Sequence, residues 1–194
     1  MMSNAVTICN LALSHLGDTA TVASIQPPEG SVQAEHCARF YPQALRSLLA
    51  LHHWGFATRY EPLQRVDREG DVRFAYVFAL PAEALEMVAV HDAYGARLPF
   101  AVQGRHVLAN QPLVWGQWID GAVEPNSFPP LFTEALAWQL ASMLAGPMLK
   151  GDAGAAEAKR CLQMVSVYLP QAKEVDANQY QLPITHKVVW MEQR

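Results

Sequence analysis

"FPPLFTEALAWQLASMLAGPMLK", Phe128 to Lys150, decides the fold. At about 100° per residue, Phe132, Leu136, Leu140 and Met143 fall on one side of a helix, and Glu134, Gln139 and Ser142 occupy a narrower polar stripe. A helix of ~20 residues is about 30 Å long, enough to cross a small domain. Burying each of the four large side chains stabilises by roughly 1.5–3 kcal/mol before conformational entropy is charged against it. A helix apolar over most of its circumference needs other helices around it. Ala141 and Ala145, within the polar stripe, are small enough to let a second helix or a neighbouring subunit come close.

Working outward from it, the preceding segment has a different period. From Trp54 the spacing changes from 3.6 to 2, and in Val72–Leu80 the bulky Val72, Phe74, Tyr76, Phe78 and Leu80 alternate with Arg73, Ala75, Val77 and Ala79. Further strands are expected at 56–60, 86–92, 97–103, 105–110 and 113–119, with turns at Tyr94-Gly95 and Gln103-Gly104. Connections this short favour an antiparallel meander. Before the strands, Ser3 is positioned to cap a helix with Ala5, Ile8, Cys9, Ala12 and Leu16 on its apolar face and Asn10 on its wet one, ending at Gly17. A second helix begins at Ser31 and carries Ala34, Cys37, Tyr41, Leu45, Leu48 and Leu49. Its Pro42 predicts a kink or two abutting helices, because an interior proline costs about 3 kcal/mol. After Gly146-Pro147 a last helix runs from Asp152 through Cys161, Val165 and Leu169, disturbed by Pro170.

The expected fold is α+β. A discontinuous helical bundle, 1–54 and 127–178, is interrupted by an antiparallel β insertion, 55–126, and followed by an extended C-terminal tail, 179–194. Helical parts on either side of the strands each expose an apolar face and bury it against the other.

With 51% hydrophobic and 16% charged residues the chain builds a real core, and 14 basic against 18 acidic residues give −4, the wrong sign for gripping phosphate backbones. Cys9, Cys37 and Cys161 are odd in number and form no CxxC pair, which reads as free thiols in a reducing compartment. There is no run of 18 apolar residues, and no basic amino-terminal region followed by an apolar core, so a chain made in the cytoplasm is expected.

The chemical motifs are weak. Adjacent His52 and His53 lie about 100° apart on a helix, whereas two metal ligands on one face need a spacing of four. Gly146 to Gly151 imitates the glycine spacing of a phosphate loop but is followed by Asp152 where that motif requires lysine. Asp120 and Glu124 sit in a Gly/Pro-rich stretch where solvated carboxylates are the rule. No metal, cofactor or catalytic residue is expected, and no enzyme.

The order of words along the chain carries the reading further. "NLALSHLG" (10–17), Ile25, "EGSVQAEHCARFYPQALRSLLALHHWGFA" (29–57), "YVFALP" (76–81) and "FPPLFTEALAWQLASMLAGPM" (128–148) together resemble the tail tubular protein A family of short-tailed phages, in the same order and over nearly the whole length. Trp190 followed by Arg194 looks like the ending of several members. Pro42 and Trp115 depart from the family pattern, where a polar residue and commonly a tyrosine stand.

The resemblance implies a head-to-tail adaptor. It would form a homo-oligomeric ring of about twelve copies between the portal protein and the tail nozzle protein, with genomic DNA passing through its centre. At −4 per copy such a ring would carry about −48, a sign that lets DNA slide without sequence-specific binding. Val188, Val189, Trp190 and Arg194 are the residues expected at the portal, on a tail whose 183–194 portion spans about 40 Å when extended. Tyr94 and Gln103, in the β insertion, are the residues expected at the nozzle, and Asp152 lies on the helix expected at subunit contacts. Two other readings stay open: a head-completion connector of a long-tailed phage, and a small binding module or hydrolase without a recognisable motif.

Overall fold

The computed structural model describes residues 4–179. Four helices and two antiparallel sheets make an α+β fold. The helices are α1 (Ala5–His15), α2 (Val32–Leu49), α3 (Pro130–Leu149) and α4 (Gly151–Asn178).

Helix α3 is the shared partner. Helices α1, α2 and α4 each pack on it and far less on one another, as its all-round apolar sequence requires. Phe132, Leu136, Leu140 and Leu144 are fully buried, and so are Ala135, Ala137, Ala141 and Ala145. Met143 is only half-buried: the covered sector is turned toward the alanines, because α4 lies against them. A Cβ on Gly154 would stand 2.9 Å from the carbonyl oxygen of Ala145, so the missing side chain lets the two backbones nearly touch. The reversal between the helices is tight. Lys150 takes φ 57° and Gly151 φ 56°, a left-handed pair that reverses the chain without a loop.

Local signals set the helix ends, with corrections. The cap of α1 is Asn4, whose side chain accepts from the Thr7 N–H at 2.7 Å; Ser3, the expected cap, lies outside the described residues. Asn10 does not face water. Its amide donates to the Val22 carbonyl at 2.9 Å and accepts from the Val22 N–H at 2.8 Å, tying the 18–30 loop to α1. Ser31 caps α2 as expected. Neither α2 nor α4 breaks at its proline: Pro42 and Pro170 each lie inside one continuous helix. Burial of Cys37, Tyr41, Leu45 and Leu48 around the first, and of Val165, Ala172 and Asp176 around the second, outweighs one lost hydrogen bond.

The strands depart more from expectation. They are β1 (Thr58–Pro62), β2 (Tyr76–Ala79), β3 (Ala84–His91), β4 (Arg97–Leu98), β5 (Ala101–Gln103), β6 (His106–Ala109) and β7 (Trp115–Asp120). Instead of one meander they form two antiparallel sheets, ordered β1-β7-β3-β4 and β2-β6-β5. Pro99 falls between β4 and β5 and splits the expected 97–103 strand between the sheets, since proline has no N–H for the ladder. The first half of Val72–Leu80 is not a strand. The Asp71 carboxylate accepts from the N–H groups of Arg73 and Phe74 at 2.8 and 2.9 Å and holds a turn there, leaving Val72 fully exposed.

The two sheets close over a core of their own, with Met87, Val90 and Trp118 from one and Phe78, Val107 and Ala109 from the other. The far side of the four-stranded sheet meets the helices: Ile119 belongs to the helical core together with Ala57, Val123 and Phe132. Trp54, fully buried, fills the junction. Its indole N–H donates to the Leu48 carbonyl at 3.0 Å, and its ring meets that of Phe132 edge-on at 4.8 Å.

Candidate functional site

Partners opposite one another in a ladder share a face. Thr58 stands opposite Ile119, Tyr60 opposite Gln117 and Pro62 opposite Trp115, which in turn stands opposite His91. The face that Ile119 turns to the helical core therefore continues past that core as Tyr60, Trp115 and His91. Tyr60 is half exposed and its ring lies 5.4 Å from that of His91. Beyond His91 the chain turns at Asp92, whose carboxylate accepts from Tyr94 N–H and Ala96 N–H at 2.8 and 2.9 Å, with Gly95 at φ 82°. Tyr94 is thus an almost wholly exposed ring at the end of the sheet away from Ala57 and Ile119.

Gln103, the second residue expected at the nozzle, belongs to the other sheet. Its amide donates to Asp71 at 3.2 Å, and it lines a small cleft of about 130 Å³ with Arg68, Gly70 and His106. Backbone N–H groups of Arg73 and Phe74, with the Arg73 guanidinium, hold the Asp71 carboxyl below its ordinary range. The structure places Tyr94 and Gln103 at turns, as their sequence context suggested, but on hairpins of different sheets. Val188, Val189, Trp190 and Arg194 lie outside the described residues. Asp152 is exposed in the first turn of α4.

The end of α4 is tied to the start of the strands. Asp176, buried, accepts from the Gly55 N–H at 3.0 and 3.1 Å through its two oxygens and from His52 Nε2 at 3.2 Å. Among the described residues no hydroxyl or thiol hydrogen-bonds His52, and the pair ties the end of α4 to the residues just before β1. It is a clamp. Asp120 was expected as a solvated carboxylate and is buried instead, accepting from Arg59 Nε at 3.0 Å and from the Ala122 N–H at 2.8 Å. Glu124 is exposed.

A second polar cluster joins α1, α3 and α4. The His15 ring stacks on Trp138 at 3.6 Å with 5° between planes, and the Arg160 guanidinium lies 5.2 Å from the same indole. Arg160 donates to the His15 carbonyl at 2.8 Å and pairs with Glu157. Burial, and then the nearby Arg160 charge, lower the His15 pKa. Sequence reading missed both clusters. The signal available was a polar residue inside an apolar helical stripe, as Asp176 is, with nothing to name its partner.

The three cysteines are buried and free. The Cys9 thiol is pushed up by its hydrogen bond with Cys37 and by burial, which makes it a poor nucleophile. A larger cleft, about 530 Å³, opens between Ala5, Ile25, Tyr41, Leu45 and Val123. Tyr41 lines it with a buried hydroxyl that has no hydrogen-bond partner among the described residues. Among those same residues no group of three histidine, cysteine or acidic side chains is arranged to hold a metal, and no helix is long and apolar enough to cross a membrane.

Exposed apolar residues are more informative than these clefts. On α4, which packs on α3, Leu162, Val167 and Val175 remain about half exposed. In the strand region Tyr60, Val72, Tyr94, Val102 and Leu113 do the same or more. The strand-region set mixes two tyrosines with Val72, Val102 and Leu113, and Val32 on α2 and Leu51 just after it are more than half exposed as well. No protein-family model matches the sequence, and no curated protein does either.

Proposed function

We propose that this protein is a structural head-to-tail adaptor of a short-tailed phage or prophage virion. It forms a ring of about twelve copies between portal and tail nozzle, and genomic DNA passes through the ring. The observation that carries this reading is that large apolar side chains stay exposed on two different kinds of element, Leu162, Val167 and Val175 on α4 and Tyr60, Val102 and Leu113 in the strand region. A closed ring joins copies head to tail through two different complementary patches, whereas a two-fold dimer needs one patch that fits itself. The ordered sequence words given above support the same reading.

The role is structural: the buried Asp176 carboxylate holds His52 and the Gly55 N–H together, and the three cysteines are buried. The protein is made in the bacterial host and resides in the virion neck. A net charge of −4 suits a channel through which DNA slides. Val188, Val189, Trp190 and Arg194 make the portal contact, and the turns at Tyr94 and Gln103 face the nozzle.

The test is co-production with the portal protein of the same genome, followed by light scattering and electron microscopy of the complex. A ring docked on the portal is expected for the full chain, and a folded but undocked protein for the chain lacking 183–194. Retained docking of the shortened chain removes the tail from the portal contact. A strict monomer that ignores the portal and takes a small ligand into the 530 Å³ cleft overturns the adaptor reading.

A further inference from the structure

Among the described residues β1 pairs with β7 alone, at the rim of the four-stranded sheet, and Arg59 to Pro62 are exposed. The ladder tells which of its backbone groups face outward. Leu63 N–H donates to the Val114 carbonyl at 2.9 Å, and the β1–β7 register, continued by one residue, sets these two opposite each other. Bonded and non-bonded pairs alternate along an antiparallel ladder. Glu61 and Arg59 therefore bond to β7, whereas Thr58, Tyr60 and Pro62 turn their backbone groups to the open side. Thr58 gives its N–H to the Gly55 carbonyl, and proline has none. Tyr60 alone offers both an N–H and a C=O at this edge.

Folded proteins blunt such edges with charges and proline, and on β1 those devices leave one register open to a second copy. Two β1 strands laid antiparallel can set Tyr60 opposite Tyr60, so that each N–H donates to the C=O of the other. Arg59 then stands opposite Glu61 of the second copy, once on either side of the axis. The neighbouring registers also satisfy the Tyr60 N–H, but one sets Arg59 opposite Arg59 and the other Glu61 opposite Glu61. Like charges directly opposite destabilise a pair of strands, and unlike charges stabilise it. Charge therefore selects the symmetric register. The Arg59 guanidinium is free to take part: it bonds Asp120 through Nε, its side chain is half exposed, and its terminal nitrogens hold no acceptor among the described residues.

We propose that a second copy of this chain docks on the open edge of β1 about a two-fold axis, with Tyr60 opposite Tyr60 and Arg59 opposite Glu61, joining two four-stranded sheets into one. A two-fold contact needs a single patch that fits itself, and Thr58–Pro62 is such a patch. Main-chain hydrogen bonds supply affinity, as in other strand additions, and the charges fix the register. Opposite residues share a face, so the two half-exposed Tyr60 rings meet across the axis, each 5.4 Å from the His91 ring of its own chain. The inference concerns the free chain in solution and does not rest on the adaptor reading.

The experiment is amide hydrogen exchange read residue by residue by NMR on the full chain, with light scattering, at concentrations about a hundredfold apart. The Tyr60 amide should be protected about tenfold or more in the dimer over the monomer, while β3 and β7 exchange alike in both and report an intact fold. Glu61→Arg, which sets arginine against arginine at both ends of the pair, should leave a folded monomer with an unprotected Tyr60 amide. Glu61→Gln, which removes the attraction without adding repulsion, should fall between that variant and the wild type. A Tyr60 amide that exchanges fast at both concentrations overturns the proposal. Protection in a monomer assigns the edge to the chain itself and overturns it too. So does a dimer that Glu61→Arg fails to weaken, because its contact then lies elsewhere. Docking on the portal is a separate measurement, and either result there leaves these outcomes as they are.

Discussion

The helical layer and the strand region solve the same problem with unequal means. In the first, three helices share one partner, α3, and the core they make includes four fully buried rings or leucines from that helix alone: Phe132, Leu136, Leu140 and Leu144. In the second, seven short strands in two sheets enclose a smaller cluster around Phe78, Val107 and Trp118. Each helix forms from contacts three and four residues apart, though the core between the helices joins α1 and α2 to α3 across the whole strand region. The β core is built from residues tens of positions apart, and it leaves edges and turn tips exposed. Stability should reside in the first region, and contact with other molecules should fall mainly on the second.

The sharpest way to break this comparison is to hollow each core in turn. Phe132→Ala should destabilise the whole chain by about 3–5 kcal/mol in urea denaturation. Far-UV and aromatic signals should move together. Val107→Ala, in the strand core, should cost about 2–3 kcal/mol, with faster amide exchange in β2, β5 and β6 and none in α3. If the strand variant melts the helices at the same denaturant concentration as Phe132→Ala does, the two regions are one cooperative unit and the division is wrong.

Two substitutions probe the seams. Asp176→Ala removes the buried carboxylate that accepts from the Gly55 N–H and His52, and should cost about 1–3 kcal/mol; exchange should rise at Gly55 and the last turn of α4, with β6 untouched. Gly154→Ala puts a Cβ 2.9 Å from the Ala145 carbonyl oxygen, and should cost about 1–3 kcal/mol by forcing α3 and α4 apart. Wild-type stability in that variant would mean that the helices separate freely.

The smallest effect is in pH. Burial and Arg160 lower the folded-state pKa of His15, so the unfolded chain binds this proton first. Stability from His15 is therefore complete above its unfolded pKa of about 6.5 and falls as pH drops through that value toward the lower folded one. His15→Gln should flatten the decline measured between pH 7 and pH 5. An unchanged slope would show that the stack on Trp138 does not depend on the neutral ring.

Much of the helical layer was legible because its signals are local. Helical spacing, Ser31 as a cap and Gly17 as a stop each depend on residues within one or two turns, whereas Gly146-Pro147, read as the break before the last helix, lies inside α3 and the chain reverses at Lys150-Gly151. Even there, Met143 was assigned to the buried face and Ala141 to the polar stripe, since periodicity locates an apolar arc without saying which neighbour covers it. Strand positions were mostly readable too, apart from Val72–Phe74, where the Asp71 turn overrode the alternation. Pairing was not: nothing in the composition of Trp115–Asp120 says that it lies between β1 and β3.

By itself, then, the chain's order of residues determined an α+β fold, the central place of Phe128–Lys150, and the exposed turns at Tyr94 and Gln103. Tertiary structure alone decided that α2 and α4 continue through their prolines, that the strands divide between two sheets, and that Asp176 closes on Gly55 across a separation of 121 residues. The reason is one of range. Caps, turns and helical periods are energies of a few adjacent residues, whereas a buried carboxylate or a sheet order becomes favourable only once the surrounding core has excluded water and brought distant backbone groups together.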